Sequence, residues 1–135
     1  MFGIKNKKQP PIRSLVGEGT VVAGHLRFTE GLRVDGVVNG DVLAADDDSG
    51  SILVISENAR VHGKVKASHV IINGEVYGLV HCTDLLELQP KARVTGDIRY
   101  ELLEMHAGAQ VNGELTPLRS AEKPALKLAA SNESL

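Results

Sequence analysis

The 135-residue chain has little of several things that common functions need. Aromatic residues make up 3%, with two Phe, two Tyr and no Trp, so an interior filled with rings is excluded. The single cysteine, Cys82, excludes an internal disulfide and fits a reducing compartment. A net charge of −2 gives no global field that would gather nucleic acid, and none is expected as a partner. No run approaches the ~20 apolar residues of a membrane-spanning helix, so we expect a cytoplasmic protein.

Repetition is what the chain has in abundance. The pattern that runs from Leu53 to Val65 returns from Leu86 to Ile98 and again from Leu103 to Leu115. A variant copy runs from Val70 to Val80, in the gap between the first two. Self-similarity at a short, nearly fixed period is the signature of a solenoid.

A five-residue kernel, V-x-G-x-[VIL] with Ile in place of Val once, marks the repeat. Its apolar residues alternate with polar ones, which is the period of a strand, and its glycine permits a sharp bend. From Val22 to Val111 is 89 positions, so the five intervals average about 18 residues. The kernels begin at Val22, Val34, Val61, Ile72, Val94 and Val111.

Short strands with a bend every few residues predict an all-β fold, a parallel β-helix of about six coils that is roughly triangular in section. Coils about 4.8 Å apart would make a rod roughly 29 Å long. The alternative is an antiparallel sandwich, since Asn-Gly and Asp-Gly pairs favour hairpins. Some of those pairs are only about four residues apart, which leaves the intervening strands too short to pair well. Crossover connections between parallel strands are in general right-handed.

The chain divides into three parts. Residues 1–14 form a basic N-terminal tail, residues 15–118 form the β-helix, and residues 119–135 form a polar C-terminal tail; both tails are expected to be disordered. The acidic segment 46–50 falls in a longer interval and is expected to be a solvated loop, because it lacks the ligand spacing of a calcium loop.

The layout of six coils between two short tails, beginning Met1-Phe2-Gly3 with lysines following, resembles the bactofilin family. The resemblance covers roughly Val16 to Leu118, and the segments 36–40 and 72–76 carry it best. It implies a right-handed β-helix that polymerises end to end without nucleotide. It also implies a bacterial cytoskeletal role in which envelope and peptidoglycan-modifying proteins are recruited to defined places.

The two ends of the rod are the first candidate site. A solenoid that stays monomeric needs caps with a polar outer face, and the sequence offers apolar residues in the first and last coils instead. We therefore expect the ends to pair with other copies. The candidate residues at the N-terminal end are Val22, Leu26 and Phe28, and those at the C-terminal end are Leu103, Met105 and Leu115.

The N-terminal tail is the second candidate site. Lysines contribute ~1 kcal/mol each near an anionic leaflet, and the resemblance attributes membrane association to such tails. The expected location is peripheral, at the inner face of the cytoplasmic membrane. The residues expected to bind are Met1, Phe2, Lys5, Lys7 and Lys8.

No metal, cofactor or catalytic residue is expected. The five histidines are at least seven residues apart and lack the close pair of a solenoid carbonic anhydrase, although stacking could align His62 and His81. Cys82 follows His81 directly, and adjacent strand residues point to opposite faces, so the two are badly placed as nucleophile and base.

The sequence thus predicts a non-enzymatic scaffold that assembles with itself, attaches to the inner leaflet and localises cell-envelope proteins in cell shape or morphogenesis. Two alternatives stay open. One is a trimeric enzyme of the hexapeptide-repeat type, an acyltransferase or carbonic anhydrase. The other is a monomeric solenoid that serves as a binding module.

Overall fold

The computed structural model describes residues 11–45 and 50–119, and these residues form fifteen strands and no helix. Most of the two predicted tails and most of the predicted acidic loop lie outside the described residues. The first strand begins at Ile12, inside the segment assigned to the N-terminal tail. The strands are β1 Ile12–Val16, β2 Val21–Ala23, β3 Leu26–Phe28, β4 Gly31–Val34, β5 Val37–Asn39, β6 Val42–Ala44, β7 Ile52–Ile55, β8 Arg60–His62, β9 Val65–Ile72, β10 Glu75–Tyr77, β11 Val80–Leu88, β12 Arg93–Thr95, β13 Ile98–Met105, β14 Gln110–Asn112 and β15 Leu115–Pro117.

The strands stack as three parallel ladders, which are the three faces of a rod. Face 1 contains β1, β4, β7 and the C-terminal parts of β9, β11 and β13. Face 2 contains β2, β5, β8, β10, β12 and β14. Face 3 contains β3, β6, the N-terminal parts of β9, β11 and β13, and β15. The predicted parallel β-helix of six three-sided coils is confirmed.

The long strands explain how two faces belong to one sheet. Strand β9 pairs with β6 through residues 65–66 and with β7 through residues 69–72, so it turns a corner without ending. The chain enters the first coil on face 1 and leaves the last coil on face 3. The described chain therefore contains a whole number of coils.

The core is a narrow column of stacked aliphatic side chains. On face 2, six valines are direct neighbours from coil to coil, and the four in the middle coils are fully buried. Each buried valine contributes about 1.5 kcal/mol of transfer free energy. The six are Val22, Val38, Val61, Val76, Val94 and Val111.

A second ladder, of glycines, forms the corner between faces 2 and 3. A Cβ atom on Gly96 would lie 2.2 Å from the carbonyl oxygen of Gly78 in the coil before it, and the same conflict recurs at each coil after the first. Five of the six have positive φ, a region that side chains with a Cβ disfavour. The ladder consists of Gly24, Gly40, Gly63, Gly78, Gly96 and Gly113.

This corner corrects the alignment of two kernels. The copies at Val34 and Ile72 lie one corner earlier, between faces 1 and 2. Their coils carry the kernel at the glycine corner as well, beginning at Val38 and at Val76. All six coils thus have V-x-G-x-[VIL] at the same corner. In these two coils the turn between faces 1 and 2 is short, so the glycine motifs at the two corners lie close together in sequence.

Acidic side chains satisfy backbone donors beside the glycine ladder. The Oδ1 atom of Asp41, one residue after Gly40, accepts a hydrogen bond from the backbone N of Lys64 at 2.8 Å. Asp97, one residue after Gly96, accepts one from the backbone N of Glu114 at 3.0 Å. These bonds link each corner to the next coil and leave fewer unpaired N–H groups where the strands end.

We expect Gly96→Ala to destabilise the rod by about 2 kcal/mol or more, because the methyl group meets a neighbouring carbonyl and the backbone has a φ of +146°. The measurement is thermal unfolding followed by far-UV circular dichroism. Gly17→Ala is the control, because nothing lies within 4 Å of the added Cβ there. Equal melting temperatures for the two variants would contradict the steric role of the ladder.

Candidate functional site: the two ends of the rod

The N-terminal end is the edge of the first coil. Within the described residues, β1, β2 and β3 each pair with one neighbour only, so their outer edges present unpaired backbone groups. Two large apolar side chains of the first coil are widely exposed, Val21 at 63% and Leu15 at 62%. Both point outward from the sides of the rod, because their register neighbours are the half-buried Val37 and the exposed Arg33. They form apolar surface at the rim of this end.

The predicted N-terminal residues occupy different depths at this end. Val22 and Leu26 are half-buried and pack against the core. Phe28 is only 8% exposed and lies within the core of the first coil. Sequence reasoning did not single out Leu15, which stands on the outer side of β1.

The C-terminal end is the edge of the sixth coil, formed by the last part of β13 with β14 and β15. Met105 is 46% exposed and Leu115 is also exposed, whereas Leu103 is half-buried against the core. Leu102, 57% exposed, and Leu118 extend the apolar surface. No polar or helical cap covers this end in the part of the chain that the structure describes.

The exposure of Met105, Leu103 and Leu115 is due to their position in the last coil, since the equivalent residues of the fifth coil are buried. Met105 is paired with Leu88, and Leu103 with Leu86, and both partners are 0% exposed. A further coil stacked on the sixth would bury the end residues in the same way. The geometry therefore suits addition of strands to each end, the mode in which backbone hydrogen bonds extend a sheet.

Both ends of the described chain meet the rod at the same edge, the corner between faces 3 and 1. Pro11 lies against Gly31 at the start of face 1. At the other end, the backbone N of Leu118 donates to the carbonyl of Tyr100 at 2.6 Å, just beyond face 3. The predicted membrane-binding residues Met1, Phe2, Lys5, Lys7 and Lys8 precede Pro11 and lie outside the described residues. The described part holds no helix of the length and hydrophobicity needed to span a bilayer.

The histidines are scattered over the rod. His62 lies on the outer side of face 2 and His81 on the outer side of face 3, so the two do not share a face. Burial and the neighbouring cations Lys66, Lys64 and Arg99 lower the pKa of His81. Among residues 11–45 and 50–119, no three His, Cys, Asp or Glu side chains are grouped to hold a metal ion.

Cys82 points into the core, away from the side chain of His81. It is fully buried, and its Sγ donates to the backbone carbonyl of Ser68 at 3.0 Å. Burial is the main cause that raises the pKa of its thiol to about 11. A thiol in this state is a poor nucleophile, since the thiolate is the reactive form.

Comparison with known proteins gives one consistent result. A family model described as bactofilin, polymer-forming cytoskeletal, matches residues 14–116. Bactofilin BacP of Myxococcus xanthus (strain DK1622) is 29% identical over 119 residues, which are 84% of this chain and 48% of BacP. Bactofilin BacO of the same organism is 26% identical over 102 residues, which are 76% of this chain and 77% of BacO. The chain thus spans about half the length of BacP. No solved structure matches it.

We expect Cys82 to resist alkylation by iodoacetamide at pH 8 in the native protein, because its thiol is buried and its pKa is about 11. Mass spectrometry after a timed reaction measures the modified fraction. The same protein in guanidinium chloride is the control and should be modified completely. Rapid modification of the native protein would show that the core around Cys82 opens.

Proposed function

The chain belongs to the bactofilin family of polymer-forming cytoskeletal proteins, and on that premise we propose that its β-helix is a subunit that polymerises end to end. The observation that carries the proposal is the pair of ends that no cap covers within the described residues. Each combines unpaired strand edges with inward apolar side chains that a stacked coil would bury, Val22 and Leu26 at one end and Met105 and Leu115 at the other.

The driving force is the same one that holds neighbouring coils together. Within the rod, each coil buries its aliphatic column and pairs its backbone with two neighbours. The first and last described coils do this on one side only. When two ends associate, both the apolar burial and the backbone pairing of these coils are completed. No nucleotide is required, because the apolar surface is present in the folded subunit.

We expect Met105→Arg and Leu115→Arg to leave folded protein that no longer forms filaments. A guanidinium at the end would lose its hydration without a partner when a coil stacks on it, which costs several kcal/mol. Negative-stain electron microscopy measures filaments, and circular dichroism measures the fold. Thr83→Arg, an exposed position in the fourth coil, is the matched control and should polymerise normally.

The two variants also test which end takes part. Both substitutions lie in the last coil, so filaments that persist in both would exclude assembly through the C-terminal end. Loss of filaments in Thr83→Arg as well would show that added charge, and not end geometry, prevents assembly. Size-exclusion chromatography distinguishes an open polymer from the closed trimer of a hexapeptide-repeat enzyme.

The proposed filament attaches to the inner leaflet of the cytoplasmic membrane through the N-terminal tail. Met1 and Phe2 supply apolar side chains and three lysines follow, with no acidic residue before Glu18. One such tail binds the membrane weakly, with a lower affinity than a single covalently attached lipid chain. A polymer presents many tails together, and multivalency converts weak contacts into firm attachment. In this arrangement the filament localises cell-envelope proteins in cell shape or morphogenesis.

We expect deletion of residues 2–8 to abolish co-sedimentation with vesicles of phosphatidylcholine and phosphatidylglycerol while filaments still form. Replacing Lys5, Lys7 and Lys8 with Gln should weaken binding without abolishing it, because each lysine contributes ~1 kcal/mol per subunit near an anionic surface. Vesicles of phosphatidylcholine alone are the control. Unchanged co-sedimentation of the deletion variant would show that the N-terminal tail is not the membrane contact.

A further inference from the structure

The outer side of face 2 carries an open aromatic stack. His62 on β8 and Tyr77 on β10 are neighbours in register, and their rings lie 4.9 Å apart between centroids with planes 7° from parallel. The next residue in the same column is Thr95 on β12, which is too small to continue the stack. One face of the Tyr77 ring is thus covered by His62, and the opposite face is turned towards Thr95. Tyr77 is 41% exposed.

Charged side chains hold this ring in position. The Tyr77 hydroxyl donates to Oε1 of Glu75 at 2.5 Å, and this bond raises the pKa of the phenol. Arg60 Nε lies 3.5 Å from the same carboxylate oxygen, so the Glu75 charge is compensated from within the face. The stack is therefore oriented before any partner arrives, which lowers the entropic cost of binding.

A guanidinium stands beside the open end of the stack. Arg93 is the register neighbour of Glu75 on the next coil, and its Nη1 donates to the backbone carbonyls of Ala92 at 3.0 Å and Gly108 at 3.4 Å. No carboxylate of the described residues lies within ion-pair distance of Arg93. Its other N–H groups remain available for an anionic partner in the planar, bidentate manner of arginine.

Between these groups runs a shallow groove of about 170 Å³ over the backbone of β12 and β14. Its sides are two columns of outward-pointing side chains, with Arg93 and Gln110 on one side and Thr95 and Asn112 on the other. The amides and the hydroxyl can donate to and accept from an extended backbone. The Tyr77 ring stands next to the start of this groove.

We propose that this surface, the Tyr77–Arg93 groove, binds an extended segment of a partner protein that carries a planar aromatic side chain two residues away from a carboxylate, so that both side chains point to the same side. The aromatic ring would continue the His62–Tyr77 stack above Thr95, and the carboxylate would pair with Arg93. Tyrosine and arginine are the residue types that dominate binding energy at protein interfaces.

The chain's own segments outside the structure do not have this chemistry. Residues 1–10 contain Phe2 but no acid, residues 46–49 contain three aspartates but no aromatic residue, and residues 120–135 contain Glu122 and Glu133 but no aromatic residue. The net charge of −2 gives no field that would gather a polyphosphate backbone. The occupant that fits is therefore another protein. The groove is on the side of the rod, so this proposal adds a cargo site to the proposed scaffold and does not require polymerisation.

The test uses the absence of tryptophan from the chain. The probe is a synthetic peptide, acetyl-Gly-Glu-Ser-Trp-Ser-Glu-Gly-amide, in which each Glu lies two residues from Trp and whose tryptophan emission reports binding without background. It is titrated with full-length protein carrying Met105→Arg and with unsubstituted protein, so that binding is measured whether or not filaments form. We expect a saturable change with a dissociation constant of about 1 mM or tighter.

The variants identify the contacts. We expect Tyr77→Ala and Arg93→Gln each to weaken binding by about tenfold, the effect of losing one aromatic or charge-assisted contact. Tyr77→Phe should bind more tightly than Tyr77→Ala and more weakly than the unsubstituted protein, because the ring face is kept while the hydroxyl bond that orients it is lost. Arg99→Gln, an exposed arginine on face 3, is the matched control and should stay within about twofold. Circular dichroism shows that each variant is folded.

Several results would overturn the proposal. One is the lack of a saturable emission change at about 2 mM protein. Another is a loss of affinity in Arg99→Gln equal to that in Arg93→Gln, which would mean that the peptide is attracted to positive charge without a specific site. Displacement of the peptide by a single-stranded oligonucleotide would assign the groove to nucleic acid. A probe with Gln in place of both Glu that binds as tightly would remove the carboxylate from the recognition.

Discussion

The close approach of backbone to backbone at the glycine corner is the constraint on which the rest of the rod depends. Gly96 donates its N–H to Asn112 in the following coil at 2.9 Å, and its α-carbon leaves no room for a side chain against Gly78 in the preceding one. Neighbouring coils can therefore lie at the distance of hydrogen-bonded strands on face 2 and on face 3 at the same time. That spacing in turn puts the six valines of the core in direct contact and sets the apolar end surfaces.

Much of the fold could be predicted from the sequence, because the same local chemistry recurs in each coil. Alternation and glycine spacing are local signals, and they were enough for a three-sided parallel β-helix. The kernels at Val34 and Ile72 were matched to the wrong corner, since the lengths of the turns vary and a short motif looks the same at two corners. Only the pairing of Val38 with Val22 and Val61 settles which corner each glycine occupies.

The surface was less accessible to sequence reasoning, because contacts between coils join residues 15–23 positions apart with no fixed interval. His62 and Tyr77 are stacked, yet His62 had been considered only as a metal ligand and Tyr77 only as a member of the small aromatic set. Phe28 lies in the first coil, as expected, and is only 8% exposed there, a degree of burial that the sequence did not indicate. In contrast, the exposure of Met105 and Leu115 followed from their place in the last copy of the repeat.

The whole number of coils has a mechanical consequence. Because both ends of the described chain meet the rod at the corner between faces 3 and 1, any stack that keeps its faces aligned places residues 11 and 119 of every subunit near a single line. A fibre tethered along one line resists rolling about its own axis, and its other two corners always point away from the tether. The rotational orientation of the fibre about its axis would then be set by the fold of the subunit, without any additional protein.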